Sequence, residues 1–266
     1  MSEGRNLFLD YVTQRRSLGE GRVILDAPLH IASQSTAAPR ALSPTPGASP
    51  GEPKWLRGAP DIPPAGLVIP SPSKDLFVAD PLGALSLDQV AERIAECHAC
   101  DLCKERKKTV PGQGNPAARL VLVGEGPGAN EDEQGLAFVG RAGQLLTEIL
   151  AAIDLPREQV FIVNIVKCRP PGNRKPLPDE IAKCLPFLYR QLELIRPSVI
   201  LALGATAAET LLNTRQSLSQ LRQLVHDFRG TPLVVTYHPA ALLRNPNWKK
   251  PTWDDVRIAR RLLDAR

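Results

Sequence analysis

The sequence predicts an α/β fold: a three-layer αβα sandwich with a central four-stranded parallel sheet, preceded by a disordered Pro-rich N-terminal extension. Three observations predict it. Four short apolar or β-branched runs, at 119–124, 160–164, 198–203 and 232–237, alternate with stretches of helical periodicity. The first run leads straight into a glycine-rich turn, Gly124-Glu125-Gly126-Pro127-Gly128, at the place where open α/β sheets put their ligands. Between Gln34 and Gly66 the composition shifts to Pro, Ala, Ser and Gly, as in Ser43-Pro44-Thr45-Pro46-Gly47.

The chain falls into three parts. Residues 1–33 form an N-terminal extension in which Phe8, Tyr11 and Val12 stand at the spacing of a short amphipathic helix, near 5–17. Residues 34–85 form a linker that cannot bury enough apolar surface to offset its ordering entropy, so disorder is expected there. Residues 86–266 form the folded domain. No apolar run reaches the length of about 18 needed to span a membrane. The start, Met1-Ser2-Glu3-Gly4-Arg5-Asn6, lacks the basic-then-apolar pattern of a secretory leader. A cytoplasmic protein with no membrane partner is expected. The net charge of +5 favours a polyanionic partner.

Ser86-Leu87-Asp88-Gln89 has capping-box form, and Leu87, Val90, Ala91 and Ile94 share one face, so a helix should run to about Glu96. The first three of five cysteines follow at its end, in Cys97-His98-Ala99-Cys100-Asp101-Leu102-Cys103. An odd count in a chain without a secretory pattern favours metal ligation over disulfides. Two thiolates at C-x-x-C spacing need two more ligands, and Cys168 and Cys184 can supply them. The spacing suits a structural zinc or an iron–sulfur cluster equally. Cys103 is left over, and His98 is an alternative ligand. Lys104, Arg106, Lys107, Lys108, Lys167 and Arg169 surround these cysteines; cations there offset thiolate charge and suit phosphates.

Helices are expected at about 141–153, 179–195, 205–213 and 252–264. Right-handed crossovers between parallel strands then bring every strand's carboxyl end to one edge. That edge gathers Glu125 to Asp132, Asn164, Gly204 and His238. Each has a plain reading and a functional one. The turn is a tight strand-to-helix junction or a ligand floor. Asn164 is a loop cap or an amide that reads a nucleobase edge. Phe138 is a core ring or a stacking platform. His238 is structural or catalytic.

The motifs Gly124-Glu125-Gly126-Pro127-Gly128 with Glu131-Asp132, Phe138-Val139-Gly140, Asn164-Ile165-Val166-Lys167-Cys168-Arg169-Pro170-Pro171 and His238-Pro239-Ala240-Ala241-Leu242-Leu243-Arg244 resemble, in order and spacing, those of the family 4 uracil-DNA glycosylases. These are the iron–sulfur members of the uracil-DNA glycosylase superfamily. The resemblance covers about residues 86–264 and leaves the first 85 outside it. It implies hydrolysis of the N-glycosidic bond of uracil in DNA, single- or double-stranded, as the start of base-excision repair. It implies a [4Fe–4S] cluster on Cys97, Cys100, Cys168 and Cys184. It implies Glu125 and His238 as catalytic residues, with Gly126, Glu131, Phe138 and Asn164 around the base. Glu131 is placed near C5 of uracil, where it would exclude thymine. Leu242, Leu243 and Arg244 would push into the duplex. Gly126 stands where some relatives carry Asp, so bond breaking is expected to lean on leaving-group stabilisation. A monomer is expected, with a replication or repair protein as a possible partner of the extension.

Three other readings compete. X-type relatives bind uracil DNA covalently through a His on an inserted loop; Ser217 to His226 occupies that region here without a basic insertion. A non-enzymatic cluster-bearing DNA-binding protein would not need Phe138, Asn164 and His238. A flavin or nucleotide binder would place phosphate against the acids that follow the glycine turn.

Overall fold

The computed structural model describes residues 82–265. The expected helix near 5–17 and most of the expected linker lie outside the described residues. The last four linker residues do not: Leu82 is buried, and the Leu85 carbonyl accepts from the Arg190 guanidinium at 2.9 and 3.2 Å. Helix α1 (Leu87–Ala95) starts at a full capping box. The Ser86 hydroxyl accepts from the Gln89 amide, and the Gln89 side chain accepts from the Ser86 amide.

The strands are β1 (Gln113–Gly114), β2 (Leu120–Gly124), β3 (Phe161–Asn164), β4 (Val199–Leu203), β5 (Val225–Phe228) and β6 (Thr231–Thr236). They form one sheet in the order β1-β3-β2-β4-β6-β5. The inner four are parallel and fall where the sequence puts them. The sheet has six strands rather than the expected four, because β1 and β5 add antiparallel edges. Strands β2, β3 and β4 are buried along their whole length, as their unbroken apolar runs require of parallel strands covered on both faces.

Alternate strand residues point to opposite faces. Val121, Val123, Val163, Ile200, Ala202 and Val235 share a core with α4 (Pro178–Ile195) and α5 (Ala205–Leu212). On the other side α8 (Lys249–Asp264) packs on β4 and β6. Helix α3 (Arg141–Ala152) buries Leu145, Leu146, Ile149 and Leu150. Three short α-helices complete the set among the described residues: α2 (Ala129–Gln134), α6 (Leu218–Leu221) and α7 (Pro239–Arg244).

The β5–β6 hairpin turns at Arg229 and Gly230, both with positive φ (53° and 86°), the backbone that a two-residue turn of this hand requires. His226 lies within β5, 2 % exposed, with Nε2 2.8 Å from the Leu221 carbonyl. Chain order reverses across β2: β3 lies on one side of it, β4 and β6 on the other. Such a reversal opens a crevice at the carboxyl ends of the two diverging strands.

Candidate active site

The crevice is present. A cavity of about 400 Å³ lies at the carboxyl ends of β2, β3, β4 and β6, bordered by Glu125, Phe138, Asn164, Thr206 and His238 among others. The register sets the ends level: Gly124 pairs with Asn164, and Leu203 with Thr236. Past these pairs the ladder continues through Ile165 N–H to the Gly124 carbonyl, 2.9 Å, and Gly204 N–H to the Thr236 carbonyl, 2.8 Å.

Gly124 decides how the cavity is built. A Cβ at this residue would stand 2.4 Å from the Asn164 Oδ1 and 2.7 Å from the Phe138 ring. The bare backbone therefore lets the amide and the ring close on the strand end together. Phe138 itself adopts φ 52°, and its carbonyl lies where a Cβ on Gly143 would be, 1.8 Å away. Helix α3 thus seats directly on the Phe138 backbone and pins the ring's position. The ring lies 5.4 Å from the His238 imidazole, centroid to centroid.

Asn164 is 1 % exposed, and its Oδ1 has no hydrogen-bond partner. An acceptor with no protein partner at the edge of a cavity is open to a donor delivered by a ligand. Its main-chain carbonyl is occupied by the Lys167 ammonium at 2.8 Å. Burial holds the Lys167 ammonium far below its usual range, at about 7, with Cys184 acting in the opposite sense.

His238 caps α7: its Nδ1 accepts from the Ala240 N–H at 3.2 Å. That bond needs a lone pair on Nδ1, so the proton of the neutral ring sits on Nε2. Desolvation by burial, then the Arg244 charge, lower its pKa to about 4, against a smaller opposite effect of Glu131. The imidazole is a neutral donor throughout the physiological range. Gly204, at φ 91°, allows this approach, since a Cβ there would meet the His238 Cβ at 3.0 Å.

Glu125 accepts from the Thr206 hydroxyl, which spans the crevice from the first turn of α5. Gly126 leaves no room for a larger residue without movement of Val166, whose methyl lies 2.8 Å from the Cβ position. Glu131 lines the cavity, but its carboxylate is taken up by backbone: Val139 N–H at 2.9 Å, Gly140 N–H at 2.8 Å and Gly128 N–H at 3.1 Å. It fastens the Phe138 loop to the start of α2.

The expected duplex wedge needs correction. Leu242 is 0 % exposed, because α7 turns it inward toward α3. Leu243 and Arg244 are the exposed pair. Among the lining residues that the sequence did not place at the cavity are Thr206 and Arg174. Arg174 borders the cavity and forks onto Glu180 at 2.6 and 2.9 Å. Thr206 follows a strand and a glycine, the same junction that drew attention to Glu125; Arg174 carried no comparable signal.

Behind the crevice, all five cysteines border one hollow, walled by Ile94, Leu102 and Phe187. None is in a disulfide. No group of three or more His, Cys, Asp or Glu among the described residues could hold a single metal ion. The donor chemistry nevertheless suits bound thiolates: Arg106 Nη1 donates to Cys168 Sγ at 3.2 Å, and Lys167 N–H to Cys184 Sγ at 3.3 Å. Burial pushes the Cys184 thiol up to about 11, and those of Cys168 and Cys100 upward as well. Among the described residues no helix is long and apolar enough to cross a membrane.

The family model for the uracil DNA glycosylase superfamily matches residues 111–258. A type-4 uracil-DNA glycosylase of Archaeoglobus fulgidus is 44% identical over 180 residues, 65% of this chain and 90% of that protein. One of Thermotoga maritima is 48% identical over 161 residues, 60% of this chain and 84% of that protein. A type-5 uracil-DNA glycosylase of Thermus thermophilus is 34% identical over 155 residues, 49% and 68% of the two chains. With the crevice, its residues and these likenesses together, the chain belongs to the uracil-DNA glycosylase superfamily, in its type-4 group.

Proposed function

We propose that the chain is a uracil-DNA glycosylase that hydrolyses the N-glycosidic bond of uracil in DNA. The observation that carries this reading is the unpaired Oδ1 of Asn164, buried beside the Phe138 ring and a neutral His238. Uracil supplies what is missing, an N3–H donor, with O4 to accept from the amide nitrogen. Cytosine presents an acceptor at N3 and a donor at C4, leaving buried groups unpaired; a site of this kind discriminates strongly.

The base cannot be reached inside a duplex, so the nucleotide is flipped or already single-stranded. Phe138 stacks on it. As the C1′–N1 bond breaks, negative charge grows on uracil O2, and the His238 Nε2–H donates to it. A preorganised donor of this type is worth about 10²–10³ in rate. Glu125, fixed by Thr206, orients the water that attacks C1′. Glu131 acts by holding the loop of Phe138 rather than by contact at C5. With Gly126 offering no carboxylate, leaving-group stabilisation dominates. Leu243 and Arg244 face the duplex.

Cys97, Cys100, Cys168 and Cys184 would hold a [4Fe–4S] cluster, which when bound would cross-link the segment after α1, the end of β3 and α4. Arg106 and Lys183, which border the hollow, would supply compensating charge. The chain acts as a monomer on uracil-containing DNA in the cytoplasm, and the extension is the place for a repair or replication partner. Incubation with a uracil-containing oligonucleotide, followed by alkali, tests the reading. Strand cleavage at uracil is expected; an intact strand refutes it.

A further inference from the structure

We propose that Lys167 is a positioning residue that ties the cysteine hollow to the base-reading amide of Asn164. The inference rests on the reading of the cavity given above. Lys167 is 1 % exposed, yet its ammonium meets no carboxylate: its partners are the Asn164 carbonyl and the Gln191 Oε1, both at 2.8 Å. A buried charge with only neutral partners is costly, and an apolar side chain would fill the same space without that cost. What the ammonium adds is geometry. It folds back over three residues to clamp the peptide whose side chain enters the cavity.

The clamp is anchored at its other end. Gln191, 2 % exposed on α4, donates in turn to the Pro111 carbonyl at 2.7 Å. The Lys167 carbonyl accepts from Val110 N–H at 2.8 Å, and its own N–H goes to Cys184 Sγ. Cys168 follows directly. One residue therefore joins β3, α4, the segment before β1 and one sulfur of the hollow, with a second cysteine next in the chain. A displacement of α4 at Cys184 is carried to the Asn164 peptide by two separate bonds.

The test is a double-mutant cycle on the full chain, read by single-turnover uracil release. Lys167→Met is expected to slow release about 10–100-fold, the range usual for residues that orient a site from behind. Asn164→Ala alone should slow it as much or more. Because Lys167 acts through Asn164, the double variant should stay within about twofold of Asn164→Ala. A second readout is affinity for an oligonucleotide carrying 2′-fluoro-2′-deoxyuridine, which presents uracil without being cleaved. Lys167→Met should lose the preference for it over the same sequence with 2′-fluoro-2′-deoxycytidine, while keeping the visible absorption of the wild type.

Wild-type rate and preference in Lys167→Met, or losses that multiply in the double variant, overturn the proposal. If Lys167→Met does not fold, Gln191→Leu takes its place in the same cycle, and a wild-type rate and preference in that variant overturn it equally. A wild-type chain that releases no uracil refutes the glycosylase reading, and the proposal falls with it. Failure of the proposal alone looks different: the wild type is active and Lys167→Met matches it.

Discussion

The base cavity and the cysteine hollow lie at the two ends of five residues, Asn164 to Cys168, and they are held in opposite ways. In the cavity three carboxylate or ring groups have fixed partners, and the Asn164 Oδ1 is left open toward the ligand: three amides hold Glu131, the Ala240 amide holds His238 and the Thr206 hydroxyl holds Glu125. In the hollow the walls are apolar, two sulfurs each receive one N–H donor, and burial favours the protonated thiols. Thiols must lose protons to bind a metal, so occupancy of the hollow depends on pH and chelators in a way the cavity does not. One site is shaped by hydrogen bonds, the other by apolar packing around its sulfurs.

The largest effect expected is at His238. His238→Ala should reduce single-turnover uracil release about 10²–10³-fold. The wild-type rate should stay level from pH 7 to about pH 5 and fall through about pH 4, where protonation of Nδ1 breaks the Ala240 bond. The sign for stability is the same. The ring's pKa is near 6.5 unfolded and about 4 folded, so its share is fully present above pH 6.5 and lost as pH falls toward 4. A rate inflection near pH 6.5 would remove the neutral-donor argument.

Cys184→Ala tests the other end. It should abolish visible absorption and lower the melting temperature, while slowing release about 10–100-fold, less than His238→Ala. If the two variants were equally inactive in their folded fraction, the cavity would not be preorganised and the contrast would fail. Glu125→Gln and Thr206→Val should each cost about 10-fold and add little to one another, since they act on the same water. Leu243→Ala should be smallest: about two- to threefold weaker binding to duplex and no change on single strands, measured by titration at fixed salt.

Much of this was legible in the chain. The four inner strands were, because parallel strands buried on both faces are unbroken apolar runs. The edge strands were not. Gln113-Gly114 has no pattern at all, and Val225 to Phe228 turns at Arg229-Gly230, where Asn or Asp would have announced the hairpin. The cavity residues were found because strand ends share an edge. Roles were harder. Glu131 looks like a chemical group in sequence, and only its three amide partners make it a fastener. Leu242 and Leu243 are indistinguishable by composition, and the rotation of a six-residue helix buries one and exposes the other. Thr206 and Lys167 act through contacts across 81 and 24 residues, which no local pattern records.

Gly124 carries a further consequence. The Asn164 amide and the Phe138 ring, proposed to read and to stack on the base, share one spacer, a single hydrogen atom, and neither can be exchanged without reference to the other. A bulkier recognition side chain at 164 would collide with strand or ring. The ring cannot retreat, because the Phe138 backbone is braced by Gly143. A lineage exploring new bases would have to alter Asn164, Phe138 and Gly143 in concert. Under the proposed reading, substrate choice in this chain is a joint property of the trio rather than of any one side chain.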